Sequence, residues 1–295
     1  MPHRIRNKQL EVLIDLPHEN YAGARFDWSG KIAEVKFNGE FISGVELLAS
    51  KAGDNYGRGF YNEFGIESPL GFSETKRGDW FHKIGVGLLQ KKDDDYAFSK
   101  AYPIKPCNFD VKTSLNNVQF ICNAPLVNGF SYKLKKEIEL LENGFVIKYF
   151  LKNTGEKAII TDEYNHNFLA INDDKIGDDY QLKFPFELLP EQFEESVNPE
   201  EAVNFGHSEI SFNNTPKEAF FFSNLSGGKA VEAKWELNNH HHKVGIRETG
   251  DFQTKKINLW GCGHVISPEL FFEISLQTKQ SINWTRRYEL FQLKG

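Results

Sequence analysis

The chain has 295 residues, of which 40% are hydrophobic and 26% are charged, and its net charge is −6 at neutral pH. This charge argues against a general nucleic-acid binder, because such a protein needs a basic surface to displace counterions. No stretch of 18 uninterrupted apolar residues occurs, so no membrane span is predicted. The cysteines are odd in number and lack metal-ligand spacing, which predicts free thiols and a cytoplasmic location: Cys107, Cys122 and Cys262.

Aromatic residues are abundant, with 26 Phe, 10 Tyr and 5 Trp beside a single Met. They favour pleated, half-buried surfaces, so the composition already indicates β-sheet. Most of them should belong to the core, while Trp and Tyr near loops could stack on sugar rings. A chain of this length can bury roughly 75% of its unfolded surface, so it needs no metal or disulfide to fold. We expect one domain over residues 1–295, without a cofactor.

Apolar and charged residues alternate first over Lys31–Phe37, and Asn38-Gly39 then predicts a hairpin turn. The same alternation runs through 132–150 around Asn143-Gly144. Residues 190–203 are acidic and interrupted by Pro199, which predicts a short helix or a loop. Many strands with few helices predict an all-β, antiparallel sandwich. Further strands are predicted at 158–160, 181–188, 219–223, 230–237 and 270–276.

His166 lies in a segment, 162–169, where titratable side chains are interspersed with apolar ones after a predicted strand. A histidine here could donate a proton, because its ordinary pKa is near neutrality. On spacing alone, however, the pattern favours a half-buried histidine bonded to backbone.

Glu269 follows Pro268 at the start of a predicted strand, within an apolar run. It could be a general base in a cleft or a surface charge, and Glu273, four residues on, should share its face of the strand. The triplet 240–242 consists of three histidines. We interpret it as a solvated hairpin tip and not a metal site, because adjacent strand residues point to opposite faces.

The order of several short motifs resembles the galactose-mutarotase-like superfamily over nearly the whole chain. These motifs are Tyr-Ala-Gly-Ala-Arg-Phe-Asp-Trp-Ser-Gly at 21–30, Asn-Glu-Phe-Gly at 62–65, Lys-Ile-Gly-Val-Gly at 83–87, Tyr-Asn-His-Asn-Phe at 164–168, Ser-Pro-Glu at 267–269 and Trp-Thr-Arg-Arg-Tyr at 284–288.

The resemblance implies an antiparallel β-supersandwich and an aldose 1-epimerase activity on a monosaccharide or sugar derivative. It implies that His166 donates a proton to the ring oxygen and that Glu269 takes one from the anomeric hydroxyl. We expect these two side chains to open into one cleft, separated by roughly the width of a sugar ring. The resemblance also suggests side chains that bind the sugar hydroxyls or ring: Arg58, His82, Lys83, Asn62, Tyr164 and Trp260.

Two other functions remain open at this point. One is a non-catalytic sugar-binding protein on the same fold, and the other is a lyase or glycosidase that uses the same carboxylate. A phosphorylated sugar is a variant of the main interpretation, because phosphate requires cationic contacts. Its candidate cations are Arg25, Arg58, Lys76, Arg77 and Lys83.

Overall fold

A computed structural model of the protein describes residues 1–49, 54–172 and 174–294, and strands dominate it. The first twelve strands are β1 (His3–Arg6), β2 (Leu10–Asp15), β3 (Lys31–Phe37), β4 (Glu40–Phe41), β5 (Phe60–Phe64), β6 (Trp80–Lys83), β7 (Gly87–Gln90), β8 (Ile104–Pro106), β9 (Phe109–Thr113), β10 (Asn117–Asn123), β11 (Tyr132–Leu140) and β12 (Gly144–Asn153). The others are β13 (Ile159–Asn167), β14 (Tyr180–Lys183), β15 (Glu195–Val197), β16 (Val203–Phe205), β17 (Glu209–Phe212), β18 (Phe220–Ser223), β19 (Val231–Asn239), β20 (Val244–Thr254), β21 (Ile257–Cys262), β22 (Val265–Leu276) and β23 (Ser281–Gln292).

The strands form two large antiparallel sheets and one small one, which confirms the predicted all-β sandwich. The first sheet has ten strands in the order β1-β2-β3-β5-β13-β22-β21-β18-β15, with β4 paired to β3. The second sheet, also of ten, runs β16-β17-β14-β19-β20-β23-β12-β11-β10-β9. The small sheet is β6-β7-β8. In the described residues no helix is long and apolar enough to cross a membrane.

The two hairpins predicted from Asn-Gly pairs are present. Asn38 and Gly39 both have positive φ, at 51° and 91°, as the tight turn between β3 and β4 requires. In the second pair, Asn143-Gly144, the glycine does not lie in the turn, because Gly144 is the first residue of β12. A Cβ there would lie 1.9 Å from the carbonyl oxygen of Tyr288, so glycine permits the close approach of β23.

The acidic segment 190–203 is more ordered than the predicted helix or loop. Two 3₁₀ turns, Pro190–Gln192 and Pro199–Glu201, flank the short strand β15. β15 pairs with β18 and forms the last strand of the first sheet. Strands 181–188 and 270–276 were also predicted with wrong bounds, since β14 ends at Lys183 and β22 begins at Val265.

The inner faces of the large sheets enclose the main core, which also contains buried charges. Arg286 of β23 donates from Nη2 to Glu163 Oε2 at 2.8 Å and from Nη1 to Glu248 Oε1 at 2.7 Å. All three side chains have no exposed surface. A second, smaller apolar cluster, including Phe26, lies on the outer face of the first sheet with the small sheet. The candidate site borders this second cluster.

Candidate active site

β13 divides its polar residues between its two faces, as alternation in a strand requires. Tyr164, His166 and the following Phe168 point to the outer face of the first sheet, where Phe168 belongs to the smaller apolar cluster. Glu163 and Asn167 point inward, where they bond Arg286 and Glu248 of the second sheet. The polar residues of this segment therefore form two sets with different surroundings.

Glu269 lies in the middle of β22 and not at the start of a strand as predicted. The β13–β22 ladder stops at Tyr164–Phe271 and resumes as the isolated bridge Leu169–Ile266. Pro268 lies within this gap, and its nitrogen cannot donate to a ladder. Asn167 Nδ2 donates to Pro268 O at 2.8 Å across the gap, so a side chain joins the strands where the backbone does not.

The gap brings His166 and Glu269 into direct contact. His166 Nε2 lies 3.2 Å from Glu269 Oε1, and both side chains are almost completely buried. The other ring nitrogen, Nδ1, is 2.7 Å from Ser267 Oγ. The imidazole stacks on Phe168 with ring centroids 3.9 Å apart and meets the edge of Trp260 at 5.5 Å. Both ring nitrogens have partners, which defines the orientation of the imidazole.

Burial disfavours charge on both members of this pair. It lowers the pKa of His166 well below 6.5, and the positive charge of Arg25 adds to this effect. Burial also raises the pKa of Glu269 to about 8; Arg25 opposes the shift, and the carboxylates of Glu63 and Glu46 reinforce it. At neutral pH the pair is therefore a protonated carboxyl beside a neutral imidazole. It holds one transferable proton between an acid and a base.

A cavity of about 370 Å³ opens onto the pair, within the roughly 300–1,000 Å³ typical of small-molecule sites. Its walls combine aromatic rings with charged and amide groups, as a site for a polar molecule with an apolar face requires. The lining residues are Arg25, Glu46, Ile66, Glu67, Phe98, Tyr164, His166, Glu195, Phe221, Lys256, Asn258, Trp260, Glu269 and Phe271.

Arg25 is the cation held deepest in this cavity. Its Nε donates to Glu63 Oε2 at 3.0 Å and its Nη1 to Glu46 Oε1 at 2.8 Å. The guanidinium carbon lies 4.4 Å from the ring centroids of both Phe26 and Phe98. Sequence analysis considered Arg25 only as a phosphate contact, although it lies in the Tyr21–Gly30 motif. That motif was the available signal for this position.

Glu63 connects Arg25 to two predicted site residues. It accepts from Tyr164 OH at 2.9 Å through Oε2 and from Lys83 Nζ at 2.8 Å through Oε1. Burial works against the charge of Lys83, but Glu63 and Tyr96 outweigh it and raise the pKa of this amine. Lys83 thus lies behind the wall of the cavity and supports Glu63, which in turn holds Arg25 and Tyr164.

The structure brings His166, Glu269, Tyr164 and Trp260 to one cavity, but it does not bring the remaining predicted residues there. Arg58 donates from Nη2 to Asp15 Oδ2 at 2.9 Å. His82 is buried with Nε2 3.1 Å from Phe130 O, and burial lowers its pKa to about 4. Asn62 faces the core, where its Oδ1 accepts from Lys136. Each has a polar partner away from the cavity, while Asn62 Nδ2 and His82 Nδ1 are buried without a partner among the described residues.

The expected separation of His166 and Glu269 by the width of a sugar ring is also wrong. Their 3.2 Å contact follows from the proximity of β13 and β22 at the ladder gap. The chemistry does not require a larger distance, because the ring oxygen and the anomeric hydroxyl of an aldose share one carbon atom. An acid and a base that serve these two oxygens can therefore be neighbours.

Comparison with known proteins finds solved structures of similar fold. No protein-family model matches the chain, and no curated protein matches its sequence. An aldose epimerase homologue from C. elegans superimposes with a TM-score of 0.61 at 12% identity, covering 100% of this chain and 99% of that one. A galactose mutarotase-like protein from Clostridium acetobutylicum gives 0.61 at 12%, covering 98% and 95%. Another from Lactobacillus casei gives 0.55 at 15%, covering 99% and 100%. The chain has the galactose mutarotase-like sandwich fold.

Proposed function

We propose that the chain interconverts the α and β anomers of an aldose, with His166 and Glu269 as its acid and base. The observation that carries this proposal is the buried contact of 3.2 Å between these side chains at the floor of the cavity. Ring opening needs a proton removed from the anomeric hydroxyl while another reaches the ring oxygen. A pair that shares one proton supplies both functions at one place.

The pair can supply and take up every proton that the reaction moves. Transfer of the Glu269 proton to His166 Nε2 gives a carboxylate and an imidazolium without changing the total charge. Glu269 then takes the proton of the anomeric hydroxyl, His166 donates to the ring oxygen, and the bond between the anomeric carbon and that oxygen breaks. The pair is back in its neutral form beside an open-chain aldehyde. Rotation of the aldehyde and the reverse transfers close the ring as the other anomer.

The surroundings of the pair favour a neutral sugar. Arg25 bonds two carboxylates, and Lys256 Nζ lies 2.8 Å from Glu67 Oε1, so both cations of the cavity wall have anionic partners. Glu195 adds a further carboxylate to the wall. A phosphate would need unpaired cations, and Arg25 alone among the five candidates lines the cavity. We therefore propose an unphosphorylated aldose, with Trp260 available for stacking against its ring.

A sugar-binding protein without turnover is the second candidate, because the aromatic walls would serve it equally well. Trp260, Phe98, Phe221 and Phe271 all line the cavity and offer apolar surfaces. The two functions differ in what the carboxyl of Glu269 does. Binding alone needs only its shape, whereas epimerisation needs its proton.

The test is anomer exchange measured by polarimetry and exchange NMR on a panel of aldoses, with calorimetry for binding. Glu269→Gln keeps the shape of the side chain but cannot transfer a proton, so turnover should fall by roughly 10²–10⁴-fold while binding persists. Glu273→Gln is the matched control, because Glu273 lies on the same strand four residues on and is exposed. It should retain full activity.

The results separate the candidates. Turnover in the unmodified protein that is lost in Glu269→Gln and kept in Glu273→Gln supports the epimerase. Sugar binding without turnover supports the binding protein and removes the epimerase proposal. Release of reducing ends from a polysaccharide would favour a lyase or glycosidase instead.

A further inference from the structure

Three chain segments that are remote in sequence meet at the turn that joins β19 to β20. They are the β3–β4 hairpin with Glu40, the segment after β13 with Asn172 and Asp174, and the turn with His241 and His242. The hairpin belongs to the first sheet and the turn to the second, while the segment with Asn172 and Asp174 connects β13 of the first sheet to β14 of the second. None of these residues lines the cavity that contains His166 and Glu269.

His242 is the centre of this cluster. Its Nε2 lies 3.0 Å from Asp174 Oδ2, and its Nδ1 lies 3.3 Å from Glu40 Oε2. Asn172 Nδ2 donates to the same Glu40 oxygen and holds that carboxylate in place. The side chain of His242 is 21% exposed, so it is open to ions in solution.

His241 adds a second imidazole. Its ring centroid lies 4.8 Å from that of His242 at an interplanar angle of 87°. One ligand atom from each of Asp174, His241 and His242 can be chosen so that all three lie within 4.8 Å of one another. Alternation between strand faces does not separate the two histidines, because β19 ends at Asn239 and β20 begins at Val244. They lie in a turn, where neighbouring side chains can converge.

We propose that Asp174, His241 and His242 bind a divalent transition-metal ion, with Zn²⁺ as the representative ion. Two imidazoles and one carboxylate are a donor set that suits Zn²⁺, Co²⁺, Ni²⁺ or Cu²⁺. Glu40 is the outer partner: with the ion on Nε2, the Nδ1 proton of His242 would be donated to the Glu40 carboxylate, whose Oε2 lies 3.3 Å away. This carboxylate–histidine–metal arrangement is the usual way in which a ligating histidine is oriented.

The ion would join the β19–β20 turn to the segment that connects the two sheets. Asp174 lies between the end of β13 at Asn167 and the start of β14 at Tyr180, and the two histidines belong to the β19–β20 turn. Binding to the folded form alone raises its stability by mass action. The site predicts a metal-dependent rise in the unfolding temperature, independent of any activity on sugars.

The experiment uses the full chain after treatment with a chelator. Co²⁺ is added, and its visible absorption bands report the number and type of ligands; Zn²⁺ is then used to displace it, and thermal unfolding is recorded with and without each ion. The variants are Asp174→Asn and His241→Ala, which are both small changes at the surface. The matched control is His207→Ala, because His207 lies 3.3 Å from Glu187 and forms a single exposed histidine–carboxylate pair.

The unmodified protein should bind one equivalent of Co²⁺ and unfold at a higher temperature with Zn²⁺. Loss of an outer-shell partner alone usually weakens metal binding roughly 10–100-fold, so loss of a direct ligand in either variant should weaken it by at least about tenfold. His207→Ala should bind as the unmodified protein does. Absence of Co²⁺ bands, or equal affinity in Asp174→Asn, His241→Ala and the unmodified protein, would overturn the site whatever the result of the sugar assays.

Discussion

Replacing Glu269 by glutamine should change how the stability of the protein depends on pH. The ordinary pKa of this carboxyl is 4.5, and burial raises it to about 8 in the folded protein. Below 4.5 the carboxyl is protonated whether or not the chain is folded. As the pH rises towards 8, the unfolded chain releases the proton and the folded chain retains it, so the free energy of unfolding falls. Glutamine has no proton to release and removes this dependence.

The magnitude follows from the same values. One pKa unit corresponds to about 1.4 kcal/mol. Between pH 6.5 and pH 8 the free energy of unfolding of the unmodified protein should therefore fall by about 2 kcal/mol more than that of Glu269→Gln. His166 contributes to both proteins and cancels in the difference. The measurement is urea unfolding of both proteins at a series of pH values. A difference that stays constant across this window would refute the buried, protonated carboxyl and with it the shared proton.

Other changes test separate parts of the structure. Ser267→Ala removes the 2.7 Å contact with Nδ1 of His166. The loss of one hydrogen bond should lower kcat by roughly 3- to 10-fold and leave KM unchanged. An unchanged kcat would show that Ser267 does not position the imidazole ring. Arg286→Met leaves two buried carboxylates without their cation. Urea unfolding should show that the free energy of unfolding falls by about 3–5 kcal/mol, and a fall below about 1 kcal/mol would contradict this. With a thiol reagent, half-buried Cys262 should react in the native protein, while buried Cys107 and Cys122 react only after unfolding; three equal native rates would contradict the structure.

The fold could be predicted from local patterns because those patterns are the physical cause of its strands. Alternating apolar residues need one buried face, and Asn38-Gly39 supplies the positive φ of a hairpin. Strand order could not be predicted in this way, since β5 pairs with β13 across almost a hundred residues. The short strand β15 was also missed. Its exposed, acidic sequence has no apolar alternation, and pairing with β18 alone defines it.

The site was predictable to the extent that its residues lie on two strands with recognisable motifs. His166 and Glu269 were named from such motifs, and the ladder gap at Pro268 brings them together. Arg58 and Arg25 show the limit of the approach. Both are arginines in the first third of the chain, and only tertiary partners decide between them. Arg58 donates a hydrogen bond to Asp15, away from the cavity, whereas Arg25 donates to the buried carboxylate of Glu63 and lines the cavity.

The inner face of β13 explains how a pair with opposed pKa shifts can be held in position. Neutral His166 and protonated Glu269 attract each other weakly compared with an ion pair, so their own contact cannot maintain the gap between β13 and β22. Asn167 does this from the other side: its amide donates to Pro268 O and to Glu248 Oε2, which in turn is part of the charged group around Arg286. The charged group around Arg286 is therefore paired within the core, and Arg25, Glu63 and Lys83 are paired with one another beside the cavity. On the outer face the His166–Glu269 pair retains one transferable proton, which the proposed acid–base reaction on a neutral sugar would use.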